Sequence, residues 1–278
     1  MAETGSSGRT WGETMAPNET ERYRLRALSD IHDPDTVRHL EDLGVGEGWR
    51  CLEVGAGEGS MVRWLSGRVG AGSVVATDLD TRFLDHPAEG NVAGGNVEVV
   101  RHDVTVDPCP GEPFDLIHAR FVLCHLPGRQ QVLQRLAGWL KPGGWLLVED
   151  PFLASELGGD RLAGTFYAGV VRLFSQRLGS DYRWALTLPQ PLRAAGLLRT
   201  GGAAHIPADA PAGADRATAA AATVAMRKLA FDQMRAGLLG AGLLTEAEAE
   251  QLDVHLTDPD LVVYCGGSVS GWGQRPPR

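Results

Sequence analysis

Long apolar runs, clusters of basic residues and paired cysteines are all scarce in this sequence of 278 residues. No apolar stretch approaches the roughly 20 residues that a membrane-spanning helix needs. The opening segment, MAETGSSGRTWGETMAPNET, also lacks the apolar core of a secretory signal. These absences predict a cytoplasmic protein that does not associate with a membrane.

Positive charge is in deficit. Lys and Arg together number 26 against 35 Asp and Glu, which gives a formal net charge of −9. The basic residues are scattered, whereas a protein that binds nucleic acid through its phosphates needs a concentrated basic patch. We therefore expect no nucleic-acid partner.

Metal-ligand spacing is absent as well. The sequence has four cysteines, at Cys51, Cys109, Cys124 and Cys265, and none forms a CxxC pair. His32 and His39 are seven residues apart, as are His118 and His125, which is too far for two ligands on adjacent turns of a helix. We expect reduced thiols and no metal site.

Short apolar segments alternate with amphipathic ones between residues 49 and 150. Strands are predicted at 49–54, 72–78, 96–103, 114–120 and 145–150, with helices at 60–69 and 129–140. Strand–helix–strand units at this spacing are typical of an α/β fold with a doubly wound, mostly parallel sheet. A further strand is expected near 199–206, and a last one, expected to be antiparallel, at 261–273.

The segments around this core are predicted to be of three kinds. Residues 1–18 are rich in small and polar residues and are expected to be flexible. Two helices are expected within 19–44, the second capped by Asp33 with Pro34 in its first turn. Helical segments at about 153–187 and 216–252 interrupt the core that spans 45–278.

The stretch CLEVGAGEGS, at residues 51–60, joins the first strand to the first core helix. Gly55, Gly57 and Gly59 allow the backbone to approach a ligand closely, although a tight turn alone also favours glycine. A dinucleotide fingerprint needs a third glycine where this sequence has Ser60, and no G-K-[ST] follows as in a phosphate-binding loop. The loop therefore argues against both kinds of nucleotide site.

Acidic residues lie at the ends of three successive predicted strands, where ligands of α/β sheets bind. Glu53 places a carboxylate beside the loop, which suits a sulfonium or ammonium group better than a pyrophosphate. Asp78 suits the two hydroxyls of a ribose. Asp103 suits the amine of an adenine packed on Val104, although it is also explained as a solvated loop residue. A cationic amino acid, a ribose and an adenine together describe S-adenosylmethionine.

The segments LEVGAGEGS, VVATDLD, RHDV, FDLIHARFVLCHL and LKPGGWLLVED occur in that order. Together they resemble the class I S-adenosylmethionine-dependent methyltransferases, and most closely the small-molecule enzymes of actinobacterial secondary metabolism. The resemblance covers residues 33–150 well and the last strand loosely, and it implies a Rossmann-like sheet with helical lids. The cofactor-binding residues that it implies are Glu53, Gly55, Ala56, Gly57, Asp78, Leu79, Asp103, Val104, Ala119 and Arg120.

Two residues are candidates for catalysis. His125 follows the fourth strand, near the expected acceptor, but packing explains it equally well. Tyr23 lies on a helix that covers the active site in similar enzymes, and a surface or core tyrosine is the simpler interpretation.

The predicted activity is methyl transfer from S-adenosylmethionine, which leaves S-adenosylhomocysteine, to the C, O or N atom of a small, partly apolar acceptor. A cyclase that binds the same cofactor is the alternative, and an NAD-type oxidoreductase is disfavoured by Ser60. The acceptor, the use of a general base and the oligomeric state, including a homo-oligomer, stay open.

Overall fold

The computed structural model describes residues 19–84, 95–153, 160–206, 216–261 and 266–277, and these contain one seven-stranded sheet. The strands are β1 (Arg50–Val54), β2 (Ser73–Asp78), β3 (Val97–Arg101), β4 (Phe114–Arg120), β5 (Leu140–Leu153), β6 (Leu198–His205) and β7 (Gly266–Gln274). The helices are α1 (Glu19–Asp42), α2 (Ser60–Val69), α3 (Arg129–Trp139), α4 (Arg161–Leu178), α5 (Gln190–Ala194), α6 (Arg216–Gly240) and α7 (Glu246–His255).

The strand order is β3-β2-β1-β4-β5-β7-β6. Neighbouring strands from β3 to β5 are parallel, and β7 runs antiparallel to both β5 and β6. This confirms the predicted doubly wound, mostly parallel fold and its antiparallel last strand. The order reverses between β1 and β4, so a crevice opens at their carboxyl ends, where such sheets bind ligands.

Both faces of the sheet are covered. On one face, Leu40 of α1 and Leu65 of α2 pack on the inner strands. On the other face, Leu133 and Leu136 of α3 do the same. Each fully buried leucine contributes about 2 kcal/mol to the free energy of folding by leaving water. The packing of these helices therefore stabilises the sheet on both faces.

Helices α4, α6 and α7 form an apolar cluster of their own. Phe166 of α4 packs edge-on against Phe231 of α6, with ring centroids 5.5 Å apart, and Leu252 of α7 joins them. The helix α7 begins with a capping box at Thr245, as its sequence predicts. The two predicted lid segments, as far as they are described, therefore pack on each other as one helical unit.

The N-terminal region differs from the prediction, because it forms one helix instead of two. We predicted one helix ending near residue 30 and another beginning at Asp33, but residues 19–42 form a single helix with Pro34 inside it. Asp33 is consequently not an N-cap. Contacts on both sides of the proline hold the helix continuous, since His32 packs edge-on against Phe121 and Thr36 bonds to Glu149.

Smaller differences concern the ends of elements and the residues outside the described ranges. β5 extends over 14 residues rather than the six predicted at 145–150. Pairing with β7 lengthens it to Leu153, and at its other end Leu140 pairs with Phe114 of β4. Residues 1–18, expected to be flexible, and Cys265 lie outside the described residues.

Three further expectations concern thiols, metals and membranes. Cys51, Cys109 and Cys124 are free thiols. Across the described ranges, no group of three or more potential ligands is arranged to hold a metal ion. Nor does any helix there have the length and apolar character needed to cross a bilayer.

Candidate active site

The glycine loop leaves β1 in a conformation that L side chains rarely adopt. Gly55 has φ 68° and Gly57 has φ 54°. The amides of Gly55 and Ala56 both donate to the carbonyl of Thr77, at 2.8 and 3.0 Å, which fixes the loop against β2. These bonds explain why the chain turns sharply at this point.

The surroundings of the two glycines differ. A Cβ on Gly55 would lie 2.4 Å from Cγ2 of Val122, whereas a Cβ on Gly57 would meet nothing within 4 Å. Close packing on the segment after β4 therefore accounts for Gly55. Gly57 faces open space, so packing alone does not explain why position 57 lacks a side chain.

Asp78, the last residue of β2, holds the loop directly. Its Oδ2 accepts from the amide of Gly57 at 2.9 Å, and its Oδ1 accepts from the amide of Asp80 at 3.0 Å. Burial raises the pKa of this carboxyl. Leu79, which follows it, is 45% exposed and lies at the surface beside the loop. The structure thus places Gly57, Asp78 and Leu79, three residues predicted to bind the cofactor, next to one another.

Asp103 lies at a turn after β3. Its Oδ1 accepts from the amide and the hydroxyl of Thr105, at 2.9 and 2.5 Å, and its own amide donates to Asp107. Val104 is buried in the core. The turn is therefore well ordered by its own hydrogen bonds, and its contact with an adenine stays a prediction.

Glu53 is buried beside a histidine. It pairs in register with His118 across β1 and β4, and its Oε2 lies 2.7 Å from Nδ1 of His118. On the other side of the ring, Nε2 lies 3.2 Å from Oε2 of Glu149 on β5. Three neighbouring strands therefore contribute one row of charged side chains at the carboxyl half of the sheet.

The charges in this row are mutually stabilised. The pKa of His118 rises to about 9 because the two carboxylates outweigh the cost of burial. The pKa of Glu149 falls to about 2, since hydrogen bonds from His118, Ser270 and Thr36 overcome its burial. At neutral pH this row therefore holds an imidazolium between carboxylates.

The last two residues of β4 point to opposite faces. Ala119 is fully buried in the core on the α3 side. Arg120 reaches the other way, where its guanidinium lies 2.6 Å from Oδ1 of Asp33 and donates to the hydroxyl of Thr36 at 3.0 Å. Arg120 thus ties β4 to α1, a contact that we did not anticipate.

A polar cleft of about 420 Å³ opens between α1 and the start of α2. Its lining residues are Arg26, Ser29, Asp30, Asp33, Glu58, Ser60 and Arg63. Ser60 donates to Asp33 at 3.2 Å, which joins the first turn of α2 to α1. The cleft therefore lies beside the glycine loop and carries charges of both signs.

The two catalytic candidates lie apart from this row. Tyr23 is 49% exposed on α1. His125 lies in a single 3₁₀ turn rather than a longer helix, with Nδ1 3.0 Å from the hydroxyl of Ser180. Burial and the nearby Arg24 and Arg129 lower its pKa to about 3, so His125 is neutral and a weak proton acceptor. Both catalytic roles stay predictions.

Sequence reasoning missed the part played by His118, Glu149 and Thr36. His118 and Glu149 are visible as polar residues inside apolar strands, which is the available signal, because buried charges in proteins are normally paired. Thr36 gave no such signal, since its partner is 113 residues away in the sequence.

Comparison with known proteins identifies the core. Residues 52–148 match a family described as "Methyltransferase domain". The core of the chain, from the first strand into the fifth, is therefore similar to a methyltransferase domain. The matched stretch runs from β1 into β5 and includes the glycine loop, Asp78, Asp103 and Arg120.

The chain is also similar to individual curated methyltransferases. The chain is 33% identical over 138 residues to methyltransferase str2 of Strobilurus tenacellus, covering 49% of this chain and 48% of the relative. It is 35% identical over 114 residues to the ubiquinone/menaquinone biosynthesis C-methyltransferase UbiE of Pseudomonas savastanoi, covering 39% of this chain and 44% of the relative. The chain thus spans about half the length of the curated relatives it matches.

A solved structure supports the fold of the domain. Phosphoethanolamine N-methyltransferase 2 of Haemonchus contortus, in complex with phosphomonomethylethanolamine and S-adenosylhomocysteine, superposes with a TM-score of 0.51 at 14% identity. The superposition covers 92% of this chain and 53% of that one. At this identity the likeness concerns the fold alone.

Proposed function

We propose that the whole chain is an S-adenosylmethionine-dependent methyltransferase that acts on a small, partly apolar acceptor. The observation that carries the proposal is the glycine loop of a methyltransferase domain, in which Gly57 faces open space while Asp78 holds its amide. A loop fixed in this way leaves room for a ligand at the point where the strand order reverses.

The residues at this edge fit the parts of the cofactor. Glu53, Gly55, Ala56 and Gly57 would hold its amino-acid end, with Ala119 and Arg120 beside them. Asp78 and Leu79 would contact the ribose, and Asp103 and Val104 the adenine. The cleft between α1 and α2, with charges of both signs, supports this assignment because an α-amino acid carries an ammonium and a carboxylate.

When bound, S-adenosylmethionine supplies a methyl group activated by the sulfonium. The protein then contributes mainly alignment of the acceptor and exclusion of water. We assign the covering role to α1 and to the helical unit of α4, α6 and α7. Tyr23 and His125 are the candidates for contact with the acceptor, and a base is needed only if the acceptor loses a proton as it reacts.

The printed name of one relative and the net charge of the chain bear on the chemical class of the acceptor. The relative in Pseudomonas savastanoi is named as a C-methyltransferase of quinone biosynthesis, and this favours a small organic acceptor and a role in biosynthesis. The net charge of −9 argues against a nucleic acid. We place the protein in the cytoplasm, as a monomer or a homo-oligomer.

Calorimetry with the purified chain tests the proposal. We expect S-adenosylmethionine and S-adenosylhomocysteine to bind at micromolar concentrations and NADH not to bind. Binding of NADH alone would overturn the assignment in favour of an oxidoreductase. Mass spectrometry with candidate acceptors then separates the two remaining activities, because a transferase yields S-adenosylhomocysteine and a product heavier by one methyl group, whereas a cyclase yields neither.

A further inference from the structure

The imidazole of His118 is wholly buried between two carboxylates. Its Nδ1 lies 2.7 Å from Glu53 and its Nε2 lies 3.2 Å from Glu149, and the side chain is 0% exposed. A carboxylate only accepts hydrogen bonds, so both ring nitrogens must donate. The ring can do this only as an imidazolium, which makes both contacts charge-assisted hydrogen bonds.

Glu149, which lies on one side of the His118 ring, is anchored to both α1 and β7. Glu149 accepts from Thr36 of α1 through Oε2 and from Ser270 of β7 through Oε1, each at 2.5 Å. These two hydrogen bonds fix the orientation of Glu149. The contact with Glu149 in turn orients the ring of His118. On the other side of the ring, Glu53 is held by His118 at the end of β1.

The charges explain what would happen without the imidazolium. Glu53, Glu149 and Asp33 are negative and His118 and Arg120 are positive, so this cluster carries one net negative charge. A neutral residue at position 118 would leave Glu53 and Glu149 buried without the cation between them. One of them would then take up a proton or turn away, because an unpaired buried charge is costly.

We propose that His118 is a positioning residue for the cofactor, which holds the Glu53 carboxylate facing the amino-acid end of S-adenosylmethionine and couples it to α1 through Glu149 and Thr36. This inference rests on the proposed function and adds a residue to it. His118 does not touch the cofactor in this arrangement, and its effect on binding passes through Glu53.

A double-mutant cycle isolates this effect. Calorimetry measures the affinity for S-adenosylmethionine of the wild type, H118Q, E53Q and the double variant. Loss of a hydrogen bond between charged groups weakens an interaction by about tenfold or more, so we expect that loss for each single variant. The double variant should bind no more than about twofold more weakly than E53Q, because contacting residues are not additive.

Additive losses in the cycle would overturn the role of His118 while leaving the proposed function intact. Failure of the wild type to bind S-adenosylmethionine would instead overturn the proposed function itself. His39 supplies the matched control, since it is a buried histidine on α1 that packs against Trp272. H39Q should lose stability and keep its affinity for the cofactor.

A second measurement covers the case in which H118Q does not fold. In the wild type labelled with ¹⁵N-histidine, both ring nitrogens of His118 should carry protons at pH 7. Addition of S-adenosylmethionine should shift the Nδ1 signal of His118 and leave the ring signals of His39 in place. A neutral ring at position 118, or a signal that does not respond to the cofactor, would contradict the proposal.

Discussion

The guanidinium of Arg120, at the end of β4, lies 2.6 Å from the carboxylate of Asp33 on α1. The pair is largely covered, with side chains 12% and 29% exposed. Arg120 also bonds to Thr36, one turn further along α1. The N-terminal helix is thus attached to the same strand end that supplies His118, so any ligand at the glycine loop lies next to the anchor of this helix.

The first prediction concerns that anchor. D33N removes the charge of Asp33 but keeps an oxygen that accepts a hydrogen bond, and we expect it to lower the free energy of unfolding by about 1 kcal/mol. Amide exchange in α1 should become faster, and KM for the acceptor should rise if α1 covers the site. Urea denaturation and hydrogen exchange measure the first two effects.

Arg38 provides the control on the same helix. It pairs with Asp35 at 2.5 Å, but its side chain is 60% exposed, so R38Q should change stability by less than about 0.5 kcal/mol. Equal effects of D33N and R38Q would show that the contact between Arg120 and Asp33 has no special part in holding α1.

The second prediction concerns the open space at Gly57. G57V should fold, because no neighbouring atom lies within 4 Å of the new Cβ, but it should lose measurable affinity for S-adenosylmethionine. Its left-handed backbone costs about 1–2 kcal/mol with any side chain. Gly143, with φ 82° and equally open surroundings, lies in the first part of β5, away from the carboxyl ends of the parallel strands.

G143V therefore carries the same backbone cost away from the glycine loop. It should lose similar stability in thermal denaturation and bind the cofactor as the wild type does. If calorimetry gives G57V the same affinity as G143V, the ligand does not approach position 57 and the site assignment fails.

The sequence predicts the strands and the glycine loop well because their signals are local. The glycines at 55 and 57 and the carboxylate at 78 stand next to the strand ends they serve, and the structure joins Gly57 to Asp78 as neighbours. The single helix α1 was not predictable in this way. The local rule for Pro34 favours a break, and the contacts of Asp33 and Thr36 with β4 and β5 overrule it.

The charged row was hidden for a similar reason. In the sequence, Glu53 is an isolated carboxylate with no basic residue beside it, and this pattern indicates a group that attracts a cation by itself. Its partner His118 becomes visible only when the register of β1 against β4 is known. Pairing between strands 65 residues apart is a long-range property, and no short motif encodes it.

The third prediction concerns a buried carboxyl in the second half of β5, that of Asp150. Burial raises the pKa of Asp150 to about 7 from an ordinary value of 3.8, although its Oδ2 accepts from the amide of Cys124. Between roughly pH 4 and 7 the folded protein binds a proton that the unfolded chain releases. The contribution of Asp150 to stability therefore falls as the pH rises through this window.

D150N removes this dependence and still accepts the hydrogen bond from Cys124. Its free energy of unfolding should exceed that of the wild type increasingly as the pH rises from 4 to 7, measured by urea denaturation. Asp258 is the matched control, since it is exposed and also accepts a backbone amide, from Asp260 at 2.9 Å. A difference for D150N that does not change with pH, or one that D258N reproduces, would contradict the effect of burial.

The last prediction concerns His125, whose pKa lies near 3 against an ordinary value of 6.5. The folded state disfavours its protonation, so its contribution to stability is lost as the pH falls from about 6.5 towards 3. H125Q should therefore lose less stability than the wild type between pH 7 and 4.5 in urea denaturation. Because His125 is neutral from pH 6 to 9, it adds no inflection to the rate there, and the pH profiles of kcat for the wild type and H125Q should have the same shape. An inflection near pH 6 to 7 that disappears in H125Q would instead identify His125 as a base whose pKa rises when the acceptor binds.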